Sequence, residues 1–105
     1  MARNLTTADF DATVNTDTPV LIDFWAAWCG PCKMLTPTME QLTEEYDGKA
    51  IIAKVNVDEE PELAQRYGVM SIPTVFLMKN GEIVDSSIGV RPKGYYTKVL
   101  DDNIK

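Results

Sequence analysis

The sequence predicts an α/β fold: a central mixed β-sheet, parallel strands plus a C-terminal antiparallel hairpin, flanked by helices on both faces. Three observations predict it. Short runs rich in branched and aromatic residues alternate with stretches whose apolar residues recur at helical spacing, the pattern of parallel strands joined through crossover helices. Late in the chain, two apolar runs flank Lys79-Asn80-Gly81-Glu82, and Asn-Gly between such runs signals a tight hairpin. Finally, 105 residues with 45% hydrophobic content suit one globular domain, expected over residues 1–105.

Asn4-Leu5 is expected to add a marginal edge strand. Thr6-Thr7-Ala8-Asp9 looks like a helix start with the threonines as capping residues, and Phe10 and Val14, four apart, share a face. That helix should end near Asn15-Thr16-Asp17, before Pro19. Val20–Trp25 is apolar almost throughout and short, which predicts a central strand covered on both faces. Cys29 to Tyr46 reads as a helix: Pro31 suits its first turn, and Leu35, Met39, Leu42 and Tyr46 form one apolar stripe. Pro37 should bend it, because it deletes a backbone bond and crowds the preceding turn. Gly48 is the expected stop. Ile51–Val57 is another strand, and Pro61 opens a short helix that Gly68 closes. The hairpin strands are expected at 74–78 and 83–88. Pro92 starts a last helix with Tyr96, Val99 and Leu100 inward, weakened at Gly94 by about 1 kcal/mol relative to alanine.

Composition excludes several functions. Sixteen acidic against ten basic residues give a net charge of −6, scattered along the chain, which argues against a nucleic-acid partner because that affinity comes largely from Lys and Arg. No apolar run approaches the roughly 20 residues that span a bilayer, so no membrane association is expected. Residues 1–7 lack the apolar core of a signal peptide, giving a cytoplasmic expectation. There is no histidine, and two cysteines alone cannot complete a tetrahedral Cys/His zinc site, so no metal is expected. Lys33 after Cys32 rules out haem attachment of the Cys-x-x-Cys-His kind.

The two cysteines stand in Cys29-Gly30-Pro31-Cys32, a spacing that lets both sulfurs share one helical turn. An inert structural disulfide is the bland alternative; so short a loop stabilises little, and a reducing cytosol would not keep it.

Phe24-Trp25-Ala26-Ala27-Trp28-Cys29-Gly30-Pro31-Cys32-Lys33 resembles the active-site signature of the thioredoxin family. Val55-Asn56-Val57-Asp58, Tyr67-Gly68-Val69, Ser71-Ile72-Pro73-Thr74 and the Asn80-Gly81 turn lie at matching distances beyond it, so the resemblance covers essentially the whole chain. It implies the thioredoxin fold and the reduction of disulfides in protein substrates. It also implies recycling by a flavin-dependent thioredoxin reductase, with no cofactor bound to this chain, and a monomer. The sequence departs from the family at Thr36, where alanine is common, and in the unusual Tyr95-Tyr96 pair.

The reacting species must be a thiolate, and unpaired N–H groups at a helix start should lower the pKa of Cys29, a trait already documented for the family that this sequence resembles. Cys29 is expected to be the exposed sulfur that attacks a substrate disulfide, and Cys32, one turn inward, the one that resolves the mixed disulfide. Asp23 interrupts an apolar strand; burial should raise its pKa toward neutrality and fit it to take the Cys32 proton, with Lys54 on the next strand partly offsetting that burial. Trp28, Gly30, Pro31, Ile72, Gly89 and Val90 are expected to form an apolar rim around Cys29. The resemblance implies that the Ile72–Pro73 bond is cis and that the adjacent backbone pairs with an extended substrate segment. Trp25 is read as a core aromatic and Trp28 as surface-lining, while Met70 fits either rim or core. Two other functions remain open on sequence: a thiol oxidant or isomerase, and a non-catalytic binding subunit built on the same fold.

Overall fold

The computed structural model describes residues 2–104; Met1 and Lys105, the ends of the expected 1–105 domain, lie outside them. The elements are β1 (Arg3–Asn4), α1 (Phe10–Val14), β2 (Val20–Trp25), α2 (Gly30–Glu45), β3 (Ile51–Asn56), α3 (Pro61–Arg66), β4 (Thr74–Lys79), β5 (Glu82–Ile88) and α4 (Lys93–Asn103). One five-stranded sheet has the order β1-β3-β2-β4-β5. β1, β3 and β2 run parallel, while β4 is antiparallel to β2 and β5 to β4. The mixed sheet with a C-terminal hairpin is therefore present as expected.

Side chains of a strand alternate between its faces, and β2 shows why that places the chemistry. Val20, Ile22 and Phe24 pack on one face with Phe10 and Val14 of α1 and Leu63 of α3. Leu21 points to the other face, where Leu35, Met39 and Leu42 of α2 and Tyr96 and Leu100 of α4 cover Val75 and Leu77 of β4. Asp23, two residues on from Leu21, shares this second face, beneath the start of α2. β2 lies between β3 and β4, so its backbone is paired on both edges and Asp23 is held in the middle of the sheet.

Several boundaries differ from expectation for local reasons. The edge strand lies at Arg3–Asn4 rather than Asn4-Leu5, although the Leu5 N–H still donates to the Lys54 carbonyl at 2.9 Å. Thr6 and Thr7 do not cap α1. Asp9 occupies the cap position and its carboxylate accepts the Thr6 N–H at 2.7 Å, while both the N–H and the hydroxyl of Thr7 donate to Glu60. α2 runs through Pro37 as one helix, with Tyr46 as its last-turn cap.

The hairpin turn uses Asn80 at φ 55° and Gly81 at φ 76°, the two left-handed residues that a tight two-residue turn demands. Its N–H groups donate to the carbonyls of Thr16 (2.7 Å) and Val14 (2.9 Å), so the turn is docked on the end of α1. β5 carries an irregularity that the sequence did not announce: Leu77 pairs with Asp85 but Met78 with Ile83, leaving Val84 as an extra residue in the ladder. β5 is also less covered than the rest of the sheet, with Ile83, Val84 and Ile88 exposed. Among the described residues no helix is long and apolar enough to cross a membrane.

Candidate functional site at the start of α2

The loop after β2 delivers Cys29 to the N-terminal end of α2. Cys29 has extended backbone angles (φ −90°, ψ 109°) and serves as the N-cap, a position usually held by an oxygen-bearing side chain. Here its Sγ accepts the Cys32 N–H at 3.2 Å, so sulfur sits at the end of the helix where free N–H groups converge. Pro31 in the first turn gives up a donor that had no helical partner in any case. Cys29 and Cys32 are joined as a disulfide, with Cα atoms 5.3 Å apart.

The expected exposure of Cys29 is corrected by the structure. Cys29 is only 4% exposed and Cys32 2%. The reason is local packing: the Cys29 Sγ is bonded to Cys32, lies 3.8 Å from the Ile72 carbonyl oxygen, and packs with Ala26 against Trp25, Val57 and Ile72. Exposure belongs instead to its neighbours Trp28, Gly30 and Pro31. Trp28 is 70% exposed and is tethered by its Nε1–H, which donates to Asp58 at 2.8 Å.

Asp23 is buried, and its Oδ1 has no hydrogen-bond partner among the described residues. Burial pushes its carboxyl up to about 7 from an ordinary value of 3.8, and the nearby Lys54 charge pulls it partway back. Lys54 stands directly opposite Asp23 in the β2–β3 register. Its Nζ lies 5.1 Å from the centre of the Trp25 ring, a cation–π contact that holds the ammonium beside the site. Asp23, Trp25, Cys32 and Lys54 all line one cavity of about 40 Å³, together with Thr36 and Glu40. An acid whose charge is disfavoured, lining the same cavity as a cysteine, can take up a proton near neutral pH at little cost.

The remaining expected residues fall on the other side of Cys29. Ile72–Pro73 is a cis peptide; Ile72 is half-buried and Pro73 buried. The Gly89 N–H donates to the Pro73 carbonyl at 2.8 Å, which brings the Gly89-Val90 loop against the Pro73 loop. Gly89 has φ 89°, a conformation that side chains rarely adopt, so glycine is what lets the chain turn there. Val90 is exposed. Trp25 is half-buried rather than fully in the core, and Met70, at 94% exposed, is surface. Sequence reasoning did not single out Met34, exposed one turn into α2, the Asp58 tether, or Glu40. For Glu40 the signal was present: Cys32, Thr36 and Glu40 are spaced four apart, along one ridge of α2.

A cysteine pair joined as a disulfide at a helix N-terminus, above a buried acid of near-neutral pKa, is the arrangement of a thiol–disulfide exchange protein. The thioredoxin family profile matches residues 1–102. Thioredoxin of Chlorobaculum thiosulfatiphilum is 53% identical over 91 residues, covering 87% of this chain and 84% of that protein. Thioredoxin 2 of Chlorobaculum tepidum is 52% identical over 100 residues (94% and 92%), and thioredoxin of Rickettsia bellii 45% over 105 residues (99% and 100%). The chain belongs to the thioredoxin family. It is a dithiol–disulfide redox carrier with protein-disulfide reductase activity, acting on proteins that contain disulfides.

Proposed function

We propose that this carrier works by a division of labour between its two sulfurs. In the reduced protein Cys29 is the thiolate, stabilised by the N–H groups at the start of α2, and it attacks one sulfur of a substrate disulfide. One substrate thiolate leaves and takes a proton from water. Cys32 then gives its proton to Asp23, and the Cys32 thiolate attacks the Cys29 sulfur of the mixed disulfide. The second substrate thiolate leaves, the Cys29–Cys32 disulfide forms, and two electrons have passed to the substrate. Lys54 limits how far burial raises the Asp23 pKa, keeping it close to the operating pH. Trp28, Gly30, Pro31, Ile72, Gly89 and Val90 form the apolar rim, and the backbone at Ile72-Pro73 pairs with an extended substrate segment, which reads few side chains and so accepts many substrates.

The observation that carries this reading is the Cys32 N–H donating to the Cys29 sulfur: the helix end meets the first sulfur, not the second. The N-terminal position of Cys29 and the deeper setting of Cys32 beside the Asp23 cavity support the same order. We further read the chain as a single-domain monomer of the cytoplasm, recycled by thioredoxin reductase. Cys32→Ser tests the order of attack: incubated with a disulfide-bearing protein, it is expected to accumulate a mixed disulfide through Cys29, seen by non-reducing electrophoresis and peptide mapping. Adducts that accumulate only through Cys32 in a Cys29→Ser protein would reverse the assignment.

A further inference from the structure

The cavity beneath Cys32 raises a question that the two sulfurs do not answer: how a proton taken by a buried Asp23 reaches water. Asp23 is only 5% exposed and, among the described residues, its Oδ1 lacks a partner; Trp25 Nε1, on a second residue lining the cavity, also lacks one among them. The residues that carry this acceptor and this donor both line a space of about 40 Å³, more than the roughly 10–15 Å³ that one water requires. The groups around that space differ in what they can do with a proton. Lys54 has only protons to donate, and Trp25 only its indole N–H. Glu40, half-buried on α2, is a second carboxylate on the same cavity and can both take and release a proton.

We propose that Glu40 is the solvent-side proton relay of this site: it passes outward the proton that Asp23 receives from Cys32, and returns one when the disulfide is reduced. The inference rests on the reading of Asp23 as the base for Cys32. The proton leaves the Cys32 thiol for an Asp23 oxygen, crosses the cavity to a Glu40 oxygen, and is released to water; the electron pair left on Cys32 forms the new S–S bond. No group beyond the substrate disulfide and water is needed.

Among the described residues, ionisable and charged groups come near Asp23 from four elements. Cys32 and Glu40 face it from α2, and Lys54 from β3. From α4 comes Tyr96, whose hydroxyl is held above its ordinary value by burial foremost and also by the Asp23 charge. Arg3, the charged residue of β1, is exposed, while Ala2 lines the cavity and its N–H donates to the Glu40 Oε2 at 3.4 Å. That last contact could make Glu40 a mere anchor for the N-terminal segment. Glu40→Gln separates the two roles, because the amide keeps an oxygen for the Ala2 N–H but loses the transferable proton.

The experiment is a single-turnover reaction of the reduced protein with a disulfide-containing peptide in weak buffer near neutral pH, following release of the first and second product thiols. Near neutral pH part of the reduced protein carries a proton on Asp23 that must leave through Glu40 before Asp23 can take one from Cys32, so Glu40→Gln is expected to leave the first release unchanged and to slow the second about three- to tenfold, less than the roughly hundredfold or more typical of losing a direct general base. Added imidazole, a small proton carrier, should restore the second rate, and Glu40→Asp should stay close to the parent. A second release at the parental rate, or a slowing that imidazole does not relieve, overturns the proposal. Asp23→Asn run alongside separates the layers. If it fails to slow the second release, the reading of Asp23 fails and the relay with it; if it slows that release while Glu40→Gln does not, the relay alone is wrong.

Discussion

Cys29→Ser is expected to abolish catalysis of insulin-disulfide reduction with dithiothreitol as electron source, leaving only the uncatalysed rate of that reductant. Two losses act together. A serine hydroxyl is not ionised near neutral pH, so the helix N-terminus has no thiolate to stabilise and the first attack does not occur. Nor can serine and Cys32 form a disulfide, so the two-electron carrier disappears even where Cys32 reacts by itself. The cap makes the change gentle on the fold: serine is a favoured N-cap residue and can accept the Cys32 N–H that Cys29 accepts now. A folded but inactive protein is therefore the expected outcome, checked by turbidity for activity and circular dichroism for fold. Substantial residual catalysis by the serine protein would move the chemistry away from Cys29.

Asp23→Ala is expected to change the pH dependence of stability more than any other single substitution in the site. The native carboxyl titrates at about 7 against an ordinary 3.8, so between those values the folded protein holds a proton that the unfolded chain releases. Stability of the parent therefore falls as pH rises through that window, and below it the penalty vanishes. A displacement of about three pKa units corresponds to about 4 kcal/mol once pH exceeds 7. Alanine has no such penalty. Its stability relative to the parent should rise by up to about 4 kcal/mol between pH 4 and pH 8, on top of a pH-independent cost for the space left behind. Urea denaturation of both oxidised proteins across that range measures the difference. A flat difference means that Asp23 ionises normally in the fold. The same variant should reduce disulfides more slowly, because Cys32 loses its proton acceptor.

What the sequence made legible was local. The apolar run at Val20–Trp25 is a central strand because nothing but burial on both faces accommodates it, and the single acid within it had to be strained. Pro31 after a cysteine marks a helix start, and Asn80-Gly81 marks a turn whose positive φ values only such residues adopt readily. What stayed illegible depends on contacts distant in sequence. Asp9 rather than Thr6 or Thr7 stands at the N-cap position of α1, with its carboxylate turned back to the Thr6 N–H, and Thr7 is already occupied by Glu60, more than fifty residues away. The extra residue at Val84 appears only when β5 is laid against β4. The burial of Cys29 follows from the Ile72 loop folding over it, which spacing along the chain does not encode. Glu40 joins the cavity through the packing of α2 over the Asp23–Lys54 pair, so its helical spacing from Cys32 acquires meaning only in three dimensions.

The account stands on a sulfur that is anionic and reachable near neutrality once the disulfide is opened. Alkylation of the fully reduced protein by iodoacetamide, from about pH 5 to about pH 9 and mapped to each cysteine by mass spectrometry, measures that property directly. Cys29 should react well ahead of Cys32, with a half-maximal rate below the ordinary thiol pKa of about 8.5. Modification of Cys32 first, or of neither cysteine until strongly alkaline conditions, would contradict it.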